Sequence, residues 1–330
     1  MRILLMGCFQ ISLLLAVGTC VAKSPHLMLT GGGLKLCSSL DPTECEKPLR
    51  IRDEDLGETR YAITTKSING IEGANWLPER QSIKAEVVRA LKLAAATTTG
   101  ELSKRQWLNA FRKAQWQSNG NKRTGASIYR KLHIKERQLV EDWLELPAMD
   151  SGFLRLDRRK KVRVQVDNSK DLFSRRLLSQ FVSLTKEKGK KGKPKLAFVT
   201  AGNSDSFSTV DYYQQVFEQL GAEAVWLPID AALRYAIREN EGTKAQPYCR
   251  DLEVYRQQEL GRFQRHKIYP DLHEYQLKLC EDPQKLLDLI SSVQGLYFVD
   301  GEPLLLHKAL VHKDGSATSL LLRIKQAMTQ

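Results

Sequence analysis

The fold is decided by residues 195–230, which read KLAFVTAGNSDSFSTVDYYQQVFEQLGAEAVWLPID. Residues 196–200 and 224–227 are short apolar runs without polar alternation, which is typical of strands covered on both faces. Between them, residues 208–211 have the pattern of a capping box, and the amphipathic run that follows ends at Gly221. Strand, helix and strand joined by short turns predict a right-handed βαβ unit with parallel strands.

Two further apolar runs extend this pattern in both directions along the chain. Residues 26–30 precede the unit and residues 296–299 follow it, and residues 283–293 carry the apolar stripe of a helix. The predicted fold class is therefore α/β, built on a parallel sheet of buried strands.

Much of the remaining chain has helical periodicity. The predicted helices cover residues 84–96, 101–116, 126–146, 171–186, 231–239 and 251–280. Because four of these precede residue 190, we expect a large, mostly helical insertion in the α/β core. The predicted division is a signal peptide at 1–22, the first strand and glycine turn at 23–49, a helical, basic insertion at 50–194, and the rest of the core at 195–330.

The first residues have the pattern of an export signal. Arg2 is followed by an apolar run over 3–17 and by small residues up to Ala22. This order predicts a cleaved secretory signal peptide. An uncleaved membrane anchor is the alternative, although the polar Gln10 interrupts the apolar run. We expect a periplasmic or extracellular protein with no membrane span after cleavage.

Four cysteines remain beyond the predicted signal peptide: Cys37, Cys45, Cys249 and Cys280. An even number in an exported chain indicates disulfides, and free thiols are the alternative. Cys37–Cys45 and Cys249–Cys280 are the local pairings among three connectivities. No Cys-x-x-Cys spacing occurs, which disfavours a zinc site.

The chain is strongly basic. It contains 51 Lys and Arg against 38 Asp and Glu, a formal net charge of +13. This charge favours anionic partners, namely polymers, phospholipid surfaces or nucleic acid bound without base specificity. Much of it lies in residues 158–161 and 186–195, and the second run also has the composition of a solvated linker.

Three polar turns follow predicted strands, where ligands bind in open α/β sheets. We predict that they bind substrate or supply oxyanion donors. Their candidate residues are Gly31, Gly32 and Gly33 in the first turn, Gly202, Asn203 and Ser204 in the second, and Asp300, Gly301 and Glu302 in the third.

None of these turns identifies a catalytic residue. The second turn partly resembles a nucleophile elbow around Ser204, but Ser206 stands where the elbow needs a second glycine. Asp300 and Glu302 either bind a substrate cation or lie at a helix N-terminus, where carboxylates are stabilised. No Gly-x-Gly-x-x-Gly occurs, so we predict no dinucleotide, and we assign no other cofactor, metal ligand or catalytic group.

These three turns, in this order, resemble the cyanophycinase and dipeptidase E family of serine peptidases. The resemblance covers residues 26–39, about 195–230, and 284–328, which is under half of the chain. It implies a flavodoxin-like sheet, as in class I glutamine amidotransferases, and hydrolysis of an Asp-containing peptide or polymer by a serine nucleophile.

The chain departs from that family at the nucleophile. A strand and a Gly-Thr-Ser-Ala-Gly elbow follow the family's equivalent of the helix at 319–328, whereas this sequence stops at Gln330 and contains no Gly-x-Ser-x-Gly. Pro303 replaces the glutamine that contacts substrate in cyanophycinases. We therefore expect an exported cyanophycinase-like serine peptidase, present as an N-terminal portion that self-associates or joins a complementary C-terminal portion. The alternative is a non-catalytic binding protein of the same fold, whose cationic surface holds anionic partners.

Overall fold

The computed structural model describes residues 33–49, 59–118, 120–147, 159–186, 192–240 and 247–329. The predicted signal peptide, the predicted strand at 26–30, and both Gly31 and Gly32 lie outside these ranges. Across the described part of the chain, every helix is too short or too polar to cross a bilayer.

The described residues form a mixed α/β structure. The helices are α1 (Thr65–Gly73), α2 (Gln81–Ala95), α3 (Lys104–Lys113), α4 (Gly125–Lys131), α5 (Ile134–Leu144), α6 (Leu172–Thr185), α7 (Val210–Gln219), α8 (Ala231–Asn240), α9 (Pro247–Arg250), α10 (Leu252–Leu260), α11 (Arg265–Ile268), α12 (Pro270–Glu281), α13 (Pro283–Ser292), α14 (Pro303–Leu310) and α15 (Ser319–Thr329). The strands are β1 (Gln115–Ser118), β2 (Asn121–Thr124), β3 (Lys195–Val199), β4 (Glu223–Leu227) and β5 (Gly295–Phe298).

The central sheet is parallel, with the strand order β4-β3-β5. This arrangement confirms the parallel unit predicted from residues 195–230. Alternate residues of β3 enter different cores. Leu196 and Phe198 pack with α6 and α7, whereas Ala197 and Val199 pack with α8, α13 and α15. Both faces of β3 are therefore covered, and burying Phe198 completely contributes roughly 1.5–3 kcal/mol.

Residues 59–147 build a separate helical unit around Trp107, Phe111 and Ile128, each almost fully buried. Helices α1, α3 and α4 of this unit begin at capping boxes, such as the one that Ser103 and Gln106 form at α3. Residues further along the predicted insertion behave differently, because Val164 and the α6 side chains join the core of the parallel sheet. The predicted insertion at 50–194 thus contributes to two cores.

Three of the predicted local structures are wrong. The predicted helix at 101–116 ends at Lys113, and β1 then pairs with β2 as an antiparallel hairpin. The buried Trp116 determines which face of this hairpin packs against the core. The predicted helix at 251–280 breaks where Gly261 and Gln264 adopt left-handed backbone conformations. The one at 126–146 divides between α4 and α5.

The capping box predicted at residues 208–211 is also absent. Helix α7 starts at Val210, and the side chain of its N-cap residue, Thr209, makes no capping hydrogen bond. The reason is tertiary, since the Asp211 carboxylate binds the buried guanidinium of Arg159 at 2.6 Å.

Two disulfides are present, Cys37–Cys45 and Cys249–Cys280. These are the local pairings among the three connectivities that the sequence left open. The first closes the 37–45 loop, whose Cys37 N–H donates to Ser169 Oγ at 2.9 Å. The second ties α9 to α12 across 31 residues of chain. Disulfides of this kind typically stabilise a fold by about 2–4 kcal/mol.

Gly202 and Gly301 bring the turns after β3 and β5 into direct contact. The Glu302 N–H donates to the Gly202 carbonyl at 2.8 Å. A methyl group on Gly301 would lie 2.4 Å from the Gly202 carbonyl carbon, although neither glycine has a positive φ. Glycine is therefore required here because a side chain would not fit, and not because the backbone has a left-handed conformation.

We predict that Gly301→Ala destabilises the protein by roughly 1–3 kcal/mol, because the added methyl group must push the two turns apart. Urea unfolding followed by circular dichroism measures this change. Gly73→Ala is the matched control, since a methyl group there meets nothing within 4 Å. Equal stability of the two variants would contradict the proposed contact.

Candidate functional site

A cavity of about 260 Å³ lies between the helical unit and the α/β core. Its wall includes Asp142 and Glu145, from α5 and its C-terminal cap. Asp205 enters from the turn after β3, Arg262 enters from the segment between α10 and α11, and Arg265 is the first residue of α11. The cavity is therefore a meeting point of three chain segments that are distant in sequence.

Arginine–carboxylate pairs connect these segments. Arg265 binds Glu145 Oε2 through Nη2 at 2.5 Å and Asp205 Oδ2 through Nη1 at 2.9 Å. Arg262 Nη2 lies 2.9 Å from Asp142 Oδ1 and 3.0 Å from Asp205 Oδ2. Because Asp205 belongs to the sheet's turn and the other two carboxylates to the helical unit, each arginine bridges the two cores.

Local structure holds the side chains in place. Asp142 lies on the buried side of α5, where it accepts hydrogen bonds from Gln138 Nε2 at 2.9 Å and from the Phe263 N–H at 2.8 Å. Gln264 has a left-handed conformation, with φ 58°, directly before Arg265. The Arg265 Nε donates to the Phe263 carbonyl at 3.0 Å, which restrains the guanidinium within its own turn.

The site contains three buried carboxylates and two arginines. Burial raises the pKa of Asp142 to about 6 and also raises the pKa of Glu145, against the attraction of the arginines. Burial has the same tendency at Asp205, but Arg265 and Arg262 outweigh it and hold the pKa of that carboxyl below its usual range. When all three carboxyls are ionised, the site therefore carries one negative charge that the two arginines do not balance.

A second hydrogen-bond network extends this site to the turn after β4. Ser206 Oγ donates to Asp230 Oδ2 at 2.8 Å, and Gln276 Nε2 donates to the same oxygen at 3.0 Å. Arg256 in turn donates to Gln276 and lies over the Phe207 ring, 4.4 Å from its centroid. These contacts fix the turn that carries Asp205.

The predicted site residues of the first two turns that the structure describes, Gly33, Gly202, Asn203 and Ser204, are not part of the cavity wall. Gly33 is exposed, with φ 85°. Asn203 shapes its own turn, because its N–H donates to the Thr200 carbonyl at 3.0 Å and its Nδ2 donates to Thr209 Oγ1 at 3.2 Å. Ser204 is half-buried and does not line the cavity wall.

The third turn engages its own backbone donors. The Gly301 N–H donates to Asp300 Oδ1 at 2.9 Å, and the Glu302 N–H is bound to Gly202. Asp300 and Glu302 are both exposed. In this order of strands a ligand crevice is expected between β3 and β5, and here the contact between Gly202 and Gly301 fills it.

Sequence reasoning missed every charged residue of the cavity. A signal was available at Asp142, which follows Leu139 by three residues and therefore occupies a position where the helical period predicts an apolar side chain. A carboxylate there indicates a buried partner. No comparable signal distinguishes Arg262 and Arg265 from the many other arginines of the chain.

Comparison with protein-family models, with curated protein sequences and with solved structures finds no match to this chain. The chemistry of the cavity is therefore derived from its own side chains.

We predict that Asp142→Asn changes how stability depends on pH. Since burial raises the pKa of Asp142 to about 6, the folded state holds this proton more tightly than the unfolded state, and the contribution of Asp142 to stability falls as pH rises from about 4 to about 6. Urea unfolding between pH 4.5 and 7.5 should therefore show the variant gaining roughly 1–3 kcal/mol relative to wild type as pH rises.

Asp288→Asn serves as the control, because Asp288 is exposed on α13. This variant should follow wild type at every pH. A difference between Asp142→Asn and wild type that stays constant over the whole range would contradict the prediction.

Proposed function

We propose that this protein binds the cationic end of an organic ligand, a guanidinium or ammonium group, in the cavity at Asp142, Glu145 and Asp205. The observation that supports the proposal is the imbalance of charge, with three largely buried carboxylates facing two arginines. Buried charges are costly unless paired, so a cationic ligand would be attracted to this site. Only one Glu145 oxygen accepts a hydrogen bond within the described residues, which leaves the other for the ligand.

The dimensions of the cavity limit the ligand to one small group. Its volume of about 260 Å³ is just below the roughly 300 Å³ at which ordinary small-molecule sites begin. Tyr61 lines one wall, and an aromatic ring favours a cation over a neutral group. In the described part of the chain, no three His, Cys, Asp or Glu side chains are grouped to hold a metal ion, which favours an organic cation.

The resemblance of the sequence to cyanophycinases suggests which ligand carries this group. Those enzymes act on an aspartate polymer with arginine side chains, so we propose a peptide or polymer that contains Asp-Arg units. The related proposal of a flavodoxin-like fold rests on the parallel pairing of β3 with both β4 and β5. Export is proposed from the pattern of residues 1–22.

We assign binding, and not hydrolysis, to the described residues. No serine hydroxyl among them hydrogen-bonds to a histidine, the pairing that activates a serine nucleophile. A peptidase activity, as the resemblance implies, would need a nucleophile elbow that these 330 residues do not contain.

We predict that calorimetric titration with the dipeptide Asp-Arg gives a dissociation constant below about 1 mM, equivalent to about −4 kcal/mol. Asp-citrulline has nearly the same shape without the charge and should bind at least about tenfold more weakly. Glu145→Gln should cause a similar loss for Asp-Arg, because it removes one carboxylate from the cavity.

Glu281→Gln, on the exposed end of α12, is the matched control and should leave the titration unchanged. Equal affinity for Asp-Arg and Asp-citrulline, or no binding of either dipeptide, would refute the proposal.

The helical unit supports a second candidate function, the binding of an anionic polymer. Its glutamates are largely paired internally, as Glu136 is with Arg80 at 2.6 Å. Arg112 and Arg137, in contrast, lie over the Tyr129 ring, 5.0 and 4.9 Å from its centroid, and make no ion pair within the described part. Arg130, the next residue after Tyr129 on α4, is exposed. Since the guanidinium groups cover the ring, this face suits phosphate or carboxylate groups better than stacked bases.

We predict that long-chain inorganic polyphosphate binds this face with an affinity that falls steeply as salt concentration rises. The triple variant Arg112→Gln, Arg130→Gln and Arg137→Gln should weaken binding and reduce the slope of log K against log salt by roughly 2, at about 0.7 for each lost phosphate contact. Filter binding between 50 and 300 mM NaCl, as rough limits, measures both effects.

In a control variant with the same change of charge, glutamine replaces Lys92, Lys278 and Lys285. These lysines are exposed and already paired with carboxylates. It should retain the wild-type slope. Equal losses in the two triple variants would mean that net charge alone, and not this face, binds the polymer.

A further inference from the structure

Arg234 is a buried arginine without a carboxylate partner. It lies on α8, one turn after Asp230, and only 3% of it is exposed. Three other arginines in the described residues are also buried, Arg159, Arg256 and Arg265, and each has a carboxylate oxygen within 3.0 Å. Arg234 makes no such pair among the described side chains.

The surroundings of Arg234 leave part of its hydrogen-bonding capacity unused. Its guanidinium carbon lies 4.1 Å from the centroid of the Tyr235 ring, and Nη1 lies 3.5 Å from His312 Nδ1. Its Nε is buried with no hydrogen-bond partner. A buried donor and a buried charge that both lack a partner are costly to keep, so a partner that binds there would stabilise the folded chain.

The loop that carries His312 brings a second cation to the same place. Val311 and Ala317 bridge the two ends of this loop, and the His312 N–H donates to the Ser316 carbonyl at 2.8 Å. Lys313 is exposed, and its Nζ lies 5.6 Å from the centroid of the Tyr235 ring. Two cations therefore approach one aromatic ring.

The nearest carboxylate in the loop, Asp314, is engaged elsewhere. It accepts hydrogen bonds from the Ser316 N–H at 3.0 Å and from the Ser316 hydroxyl at 2.6 Å. The loop itself thus provides Arg234 with no counter-ion.

We propose that Arg234, His312 and Lys313 form a binding site for a small oxyanion, either a carboxylate or a phosphate. A guanidinium offers a planar fork of N–H donors that matches both groups, and Lys313 adds a charge from the solvent side. His312 is half-buried beside the guanidinium, and Lys313 is exposed on the solvent side of the proposed site. This site shares no residue with the cavity and is independent of the function proposed above.

Thermal unfolding at constant ionic strength tests the proposal, with inorganic phosphate or acetate replacing chloride. In wild type, at least one of the two oxyanions should raise the midpoint in a saturable manner, because it binds the folded state. Response to phosphate alone identifies a phosphate site, and response to acetate alone identifies a carboxylate site. No response to either, beyond that to chloride, would overturn the proposal.

Arg234→Met separates this role from a purely structural one. The variant should lose the response, with affinity reduced at least about tenfold, and in chloride it should melt no lower than wild type, because an unpaired buried charge has been removed. Melting below wild type in every buffer would show that Arg234 supports the fold itself and would overturn the proposal.

Lys313→Gln provides a second, milder variant, since its side chain is exposed and the fold does not depend on it. It should weaken oxyanion binding roughly threefold to tenfold, as expected for a partly exposed charge. Arg105→Gln, an exposed charge on α3, should bind like wild type. Equal affinities in Lys313→Gln and Arg105→Gln would also overturn the proposal.

Discussion

The structure depends on a cluster of buried ion pairs centred on Arg265. Its guanidinium reaches Glu145 of the helical unit and Asp205 of the sheet's turn, both within 2.9 Å. Breaking a buried pair by removing one partner typically costs about 3–5 kcal/mol, because the remaining charges lose their compensation. That cost is a large part of the 5–15 kcal/mol, approximately, by which a typical domain is stable. The helical unit and the α/β core are therefore joined by charge at a position where an apolar contact would be more usual.

This junction also determines where a ligand is able to bind. In a parallel sheet of this order, the expected crevice lies between β3 and β5, where Gly202 and Gly301 instead pack backbone against backbone. The cavity lies instead beside the helical unit, where the long side chains of the ion-pair cluster line it. The carboxylates outnumber the arginines there, and this surplus of negative charge is the basis of the cation site that we propose.

Prediction from sequence succeeded where local pattern and burial agree. The continuous apolar runs of β3, β4 and β5 are located to within one residue, because buried strands have little freedom in composition. It failed where a distant partner changes a local preference. Asp211 has the spacing of a capping residue, yet it binds Arg159, which is 52 residues away. Trp116 continues a helical pattern, yet it enters the core from a hairpin strand.

The sequence by itself determined the α/β class, the parallel pairing of its strands and the largely helical character of residues 59–147, because hydrophobic periodicity is a local property. It also located the glycine-containing turns after β3 and β5. Only the tertiary structure decided what those turns do: Gly202 and Gly301 close a crevice, whereas Asp205, from the same turn as Gly202, faces a cavity. The reason is that the free energy of a buried charge depends on partners that approach from other parts of the chain, and the periodicity of a sequence does not record which segments meet.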